Sequence, residues 1–234
     1  MTPDPLAARG AGRTVVIPPG SDGVVRAMQM VLRMEKVGGR GTVTARTPVL
    51  EAAAAAALAL CLDPRAQPDG EWFEAVSTWV ASRIRKIARR ARGVHWAAVQ
   101  ELPGVTWTVG DAQVRALLPG PVDDVPRVVS RLQIGGTDLP PDDPGPPPPD
   151  RPVIWVDAAL EMTVGKAAAQ VGHASMLFAA ARRLVEVPEF AVREAGSQRW
   201  AELLVDVERG AAVAVRDAGF TEVAPGTITC IASP

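Results

Sequence analysis

The chain has 234 residues, 47% hydrophobic and 22% charged, with a net charge of -1. That length holds one large globular unit or two small ones. The near-neutral balance excludes bulk attraction for polyanions, so any nucleic-acid contact must come from local clustering of positive charge. Cys61 and Cys230 sit in apolar runs, and His95 and His173 are the only histidines, which argues against a metal centre and fits a reducing compartment. Residues 1–23 are rich in Pro, Gly and Ala, show no signal-peptide order, and read as disordered. The longest apolar run, 50–62, contains Glu51 and is too short to cross a bilayer. The expectation is a cytoplasmic protein with no membrane segment and no cofactor.

Residues 24–137 read as an α/β unit. AMQMVLRMEK is a predicted strand, and TPVLEAAAAAALALCL a helix capped by Thr47 with Pro48 in its first turn. GEWFEAVSTWVASRIRKIARRARG is expected to form a second helix ending at Gly93. HWAAVQEL and QVRALLPG read as strands, and VDDVPRVVSRLQI as a short helix and strand. On the second helix Arg85, Arg89 and Arg92 would share a face, with Lys86 and Arg90 beside it. Such a face suits phosphate binding; the alternative is a solvated face with Ile84 and Ile87 turned inward. Trp72, Trp79, Trp96 and Trp107 read as core residues rather than stacking platforms for bases.

Residues 138–150, DLPPDDPGPPPPD, are a proline-rich linker, since proline removes donors and holds the chain extended. Residues 151–234 read as a second α/β unit, a mixed sheet flanked by helices. PVIWVDA is a buried strand, LEMTVGK a loop, and AAAQVGHASMLFAAARRLVE a helix ended by Pro188. EFAVREA is a strand, SQRWAELLVDVERG a helix capped by Ser197 and stopped at Gly210, and AAVAVRDA and TITCIAS are strands around the loop GFTEVAPG.

Two segments of this unit carry chemistry. In MTVGKAAAQVGHAS, Gly165 and Lys166 lie where a loop gives way to a helix, whose N-terminal N–H groups and dipole suit a phosphate or a developing oxyanion. Gln170 follows one turn later and His173 close to it. In VRDAGFTEVAPGTIT, Asp217 ends an apolar strand and Gly219 and Gly226 bracket a polar turn. An Asp, a Thr and a Lys brought together can position and partly deprotonate a water.

These segments, GKAAAQVGHA followed by DAGFTEVAPGT, resemble the paired motifs of the type-2 peptidyl-tRNA hydrolases, and the resemblance covers essentially all of 151–234. It implies that Lys166, Asp217 and Thr221 belong to a catalytic site, with His173 and Thr227 beside it. Gly165, Gln170, Gly219 and Gly226 would shape the substrate site, and the Arg85, Arg89 and Arg92 face would grip tRNA. The implied activity is metal-independent hydrolysis of the ester between a peptide, or an N-blocked amino acid, and tRNA. Peptidyl-tRNA is the implied partner, with no role for DNA or membrane. The alternative is a tRNA- or ribosome-binding protein that keeps the fold without turnover. Val171 and Glu222 depart from the family pattern, and Glu222 places a carboxylate beside an anionic substrate. The chain also stops at Pro234 without the family's closing turn and helix, which LLPGPVDDVPRVVSRLQI resembles instead.

The front half reads as a degenerate copy of the back half, with Val99 matched to Val215 and Glu101 to Asp217, although a loose match between unrelated α/β sequences would look similar. A copy implies an intramolecular pseudo-dimer; the sequence leaves a homodimer equally open.

Overall fold

The computed structural model describes residues 23–34, 44–135, 138–219 and 222–234. The front half runs β1 (Arg26–Arg33), α1 (Arg46–Leu62), α2 (Phe73–Ala81), β2 (Arg85–Ala91), α3 (Gly93–Gln100), β3 (Gly104–Val109), β4 (Ala112–Leu117), β5 (Gly120–Pro121) and α4 (Arg127–Ser130). The back half runs β6 (Val153–Asp157), α5 (Val164–Arg182), β7 (Ala191–Ala195), α6 (Ser197–Glu208), β8 (Val213–Arg216) and β9 (Ile228–Ser233).

Each half builds one mixed sheet, so the molecule is α/β throughout. The front order is β2-β1-β4-β3, with β5 also pairing β1, and the back order is β7-β6-β9-β8. In each sheet the first two strands in sequence are parallel and the remaining neighbours antiparallel. The two sheets therefore share strand order and sense.

Strand alternation sorts the side chains into layers. Met28, Met30 and Leu32 of β1 and Ile154 and Val156 of β6 enter one continuous central core with α1 and α5. Val31 faces the other way, onto Trp96 and Val99 of α3 and Val129 of α4. Ala195 and Ile231 face away from the centre onto Leu203 of α6. The stack is thus α3 and α4, front sheet, α1 with α5, back sheet, α6. The two halves share the middle layer.

A helix between two sheets and another helix has no solvent face, which is why α1 is apolar beyond its first turn except at Glu51. Its alanines 52–57 are all buried. Small side chains let α5 come close: a Cβ at Gly172 would lie 3.1 Å from the Ala57 Cβ, and the Ser175 hydroxyl donates to the Ala54 carbonyl at 2.7 Å. The contacts are reciprocal across the halves. Glu51 of α1 pairs with Arg193 on β7 at 3.2 Å, while His173 of α5 meets Lys86 on β2 at 3.1 Å.

Several expectations are corrected. The basic run 85–91 is not a helix. Ser82 ends α2 by donating its hydroxyl to the Trp79 carbonyl, and the chain then pairs with β1 over seven residues. That tertiary pairing overrides the helix preference of Arg, Lys and Ala. HWAAVQ is helical rather than extended, with Trp96 and Val99 at helical spacing turned to the core. Thr47 is not the cap of α1, which begins at Arg46; nor does Ser197 cap α6, whose N-cap is Gly196. Val99 and Glu101 are not counterparts of Val215 and Asp217, because they belong to α3 and its C-cap. By sheet position β3 matches β8. Its hairpin turns tightly at Gly110 and Asp111, where the back half has the long 217–227 loop. The front half thus lacks the backbone that presents Asp217.

The proline-rich connection is pinned along its course. Leu139 enters the core, Asp142 accepts from the Thr47 N–H at 3.0 Å and its hydroxyl at 2.8 Å, and the Gly145 carbonyl accepts from Arg193 at 2.8 Å. Neither α1 nor α5 carries an acidic residue in its first turn. Asp142 supplies α1 with that negative charge from a distant segment.

Because the central core is shared, Ala57→Leu is expected to overpack the α1–α5 contact and destabilise the chain by about 1–3 kcal/mol. Denaturant unfolding followed by near-UV and far-UV circular dichroism should show both halves lost in one coincident transition. Separate transitions for the two halves would contradict the shared core.

Candidate active site

The loop after β6 approaches α5 with Thr163 as N-cap. The Thr163 hydroxyl accepts from the Lys166 N–H at 3.3 Å, so Gly165 and Lys166 lie inside the first turn rather than in a preceding loop. Arg46, at the start of α1, donates to the Met162 carbonyl at 2.7 Å and ties this entry to the other half. Glu222 accepts from the Thr163 N–H at 3.1 Å and its hydroxyl at 2.7 Å. Glu222 therefore caps α5 from across the site, just as Asp142 does for α1. The helix entrance already faces a carboxylate.

Val213, Val215 and Asp217 alternate onto the same side of the back sheet, toward α5. Asp217 meets Lys166 there: Lys166 Nζ donates to Asp217 Oδ2 at 2.5 Å. Gln170, one turn along α5, donates from Nε2 to the same oxygen at 2.7 Å, and its Oε1 accepts from the Thr229 hydroxyl at 2.7 Å. The Gly219 N–H donates to Asp217 Oδ1 at 2.7 Å. Backbone bonds lock the rest of the turn: the Asp217 N–H donates to the Thr227 carbonyl at 2.9 Å, and the Gly226 N–H to the Asp217 carbonyl at 2.8 Å. Gly219 has φ of +78°, and a Cβ there would fall 2.3 Å from Pro225 Cγ, so only glycine fits.

The cluster is nearly sealed, with the Lys166 and Asp217 side chains 8% and 7% exposed. An ion pair so buried is held by mutual attraction plus hydrogen bonds to its remaining positions. Here Gln170 and Gly219 supply those bonds.

The sequence-predicted residues separate into groups. Lys166, Gln170, Asp217 and Gly219 converge directly, and Gly165, Gly226 and Thr227 shape the backbone around them. His173 lies on the same stripe of α5, seven residues beyond Lys166, and its Nδ1 meets Lys86 Nζ of the front half at 3.1 Å. Thr221 lies outside the described residues. The arginine face does not exist as expected. Arg85 and Arg89 share the side of β2 turned toward α3 and α4, away from α5, and Arg92 is the exposed residue preceding α3. Arg89 is 7% exposed and donates to Gln29 Oε1 at 2.7 Å and the Leu132 carbonyl at 3.0 Å. Burial pulls its guanidinium below the usual arginine value. It is a fastening for the outer layer.

Sequence reasoning missed Thr229 and the capping role of Glu222. A polar residue set between Ile228 and Cys230 inside a strand was the available signal for Thr229. Nothing local announces that a loop carboxylate will reach a helix start elsewhere.

No protein-family model matches this chain, and neither the curated proteins nor the solved structures contain a match.

Removing one partner of the buried pair strands the other. Asp217→Asn leaves the Lys166 ammonium without its carboxylate and should cost about 3–5 kcal/mol, read from the shift in denaturation midpoint. A change within experimental error would show the pair to be more solvated than its geometry implies.

Cys230, next to Thr229, is fully enclosed, and burial pushes its thiol far above the ordinary value. The unfolded thiol ionises near about 8.5 while the folded one stays protonated. This contribution to stability is therefore complete below pH ~8.5 and is lost progressively as pH rises beyond it. Cys230→Ala should flatten the alkaline limb of the stability profile relative to wild type. An unchanged limb would assign alkaline loss to other groups.

Proposed function

We propose that the chain is a metal-independent hydrolase of the ester joining a peptide, or an N-blocked amino acid, to the terminal ribose of tRNA. The observation that carries this reading is the meeting of Lys166 and Asp217 at 2.5 Å, where a helix entrance faces a strand end. The motif resemblance requires those side chains to share one place, and opposite faces of the sheet would have spoken against it.

A carboxylate offers about four acceptor positions. The described residues fill three on Asp217, through Lys166, Gln170 and Gly219. The remaining position would orient the attacking water, with Asp217 drawing its proton as the nucleophile forms. Lys166 and the first turn of α5 would stabilise the negative charge that develops on the ester carbonyl oxygen. Gln170, anchored by Thr229, would hold Asp217 in place as the substrate approaches. Thr221 remains part of the proposal through the resemblance alone.

One observation favours a second reading. The ion pair is closed, with both side chains almost fully covered. A protein that binds tRNA through the retained fold, without turnover, would leave its old catalytic pair as a structural tie. Tight, salt-sensitive tRNA binding without ester cleavage would select it.

The deciding experiment is multiple-turnover cleavage of N-acetyl-aminoacyl-tRNA by the purified full chain. Wild type should turn over. Lys166→Ala and Asp217→Asn should each lose roughly 100-fold or more in kcat/KM, measured at a temperature where circular dichroism shows the variants folded. Undiminished activity in both would remove these residues from the mechanism, and an inactive wild type would end the hydrolase reading.

A further inference from the structure

The two histidines occupy different environments. His95 is exposed near the start of α3, whereas His173 is partly buried on α5. Lys86 Nζ stands 3.1 Å from His173 Nδ1. An ammonium only donates, so Nδ1 must accept, and the ring then carries its proton on Nε2.

Three features keep Lys86 in that position. It alternates with Arg85 and Ile87 on β2, so it faces α5 while they face α3 and α4. Its ammonium lies over the Trp79 ring, 5.2 Å from the centroid. Its stem runs past Gly172, where a Cβ would come within 3.2 Å of Lys86 Cδ and Cε and 3.1 Å of the Ala57 Cβ. The helix residue next to His173 is thus one whose missing side chain lets the lysine through.

Lys166, Gln170 and His173 recur at positions i, i+4 and i+7 of α5, along one stripe. Among the described residues, Lys86 from β2 meets this stripe at His173 and, about two turns toward the helix N-terminus, Asp217 meets it at Lys166; α1 presents alanines.

We infer that Lys86 is a positioning residue supplied by the front half, which fixes His173 as its Nε2–H tautomer and so makes the imidazole a hydrogen-bond donor to an oxygen of the bound RNA, a phosphate or a ribose hydroxyl. The catalytic consequence rests on the proposed hydrolase reading; the tautomer does not. The front half is then more than a packing partner, because the back-half stripe depends on it for the identity of its donor.

Nitrogen-15 imidazole NMR on the full chain tests the tautomer, with exposed His95 as internal reference. At a pH where both rings are neutral, His173 should show the Nε2–H pattern alone. Lys86→Met keeps the stem and removes the ammonium, and His173 should become a mixture of tautomers while His95 is unmoved. A mixture already present in wild type, or a pattern unchanged in Lys86→Met, overturns the assignment.

The functional arm uses tRNA substrates and a substitution that imitates one nitrogen. The amide of His173→Gln places a donor near the Nε2 position, whereas His173→Asn places it near Nδ1. With N-acetyl-aminoacyl-tRNA, His173→Gln should retain kcat within roughly threefold, and His173→Asn and Lys86→Met should each lose roughly tenfold or more. Lys86→Met should have no further effect in the His173→Gln background, which shows that the lysine acts through the histidine. Equal losses in His173→Gln and His173→Asn, or an undiminished Lys86→Met effect in the His173→Gln background, would overturn the donor role. If wild type cleaves no ester, the hydrolase reading falls, and the same variants are compared by tRNA affinity, with the same order expected.

Discussion

The close approach of α1 and α5 is the constraint on which the rest of the structure depends. Two open sheets can share one helical layer only if the helices in it are slim enough to touch each other and both sheets. Ala54, Ala57, Gly172 and Ser175 make that contact, and the buried Ser175 hydroxyl spends itself on an α1 carbonyl. From this follow the continuous central core, the reciprocal reach of each helix to the other half's edge strand, and the fixed position of the α5 entrance. The site is a product of the packing between halves as much as of its own loop.

The two helix entrances follow from the same arrangement. A helix set between sheets has its first turn enclosed, where unsatisfied N–H groups are costly. Neither α1 nor α5 carries an acidic residue in its first turn, and each receives a carboxylate from a remote segment, Asp142 for one and Glu222 for the other. Glu222 therefore has a local reason to be acidic that is independent of substrate. Its carboxylate is spent on the Thr163 N–H and hydroxyl, while Asp217 is the carboxylate that meets Lys166.

Legibility in the sequence followed the strength of local pattern. The back-half strands were readable because apolar alternation and punctuating glycines agreed with the sheet. The Lys166 and Asp217 juxtaposition was readable because two motifs implied it together. The segment 85–91 was misread because arginines spaced for a helix face are equally compatible with a strand, and only pairing with β1 decides between them. HWAAVQ failed for the converse reason, a short apolar segment whose type is set by where Trp96 and Val99 find a core. Glu222 and Lys86 act over sequence separations of 59 and 87 residues, and no local window contains that information. The strand order that the two halves share could not be aligned residue by residue, because the front hairpin turns tightly at Gly110 and Asp111 where the back half has a longer connection.

The reciprocal contacts between helix and edge strand have a consequence for how such a chain can change. In a symmetric pair of identical subunits, one residue pair must serve at both interfaces, and every substitution is made twice. Here one junction joins Glu51 to Arg193 and the other joins His173 to Lys86. The first is an ordinary ion pair suited to holding two pieces together, while the second sets the state of an imidazole. A single polypeptide carrying both junctions is free to let one remain a clasp and to specialise its mirror image.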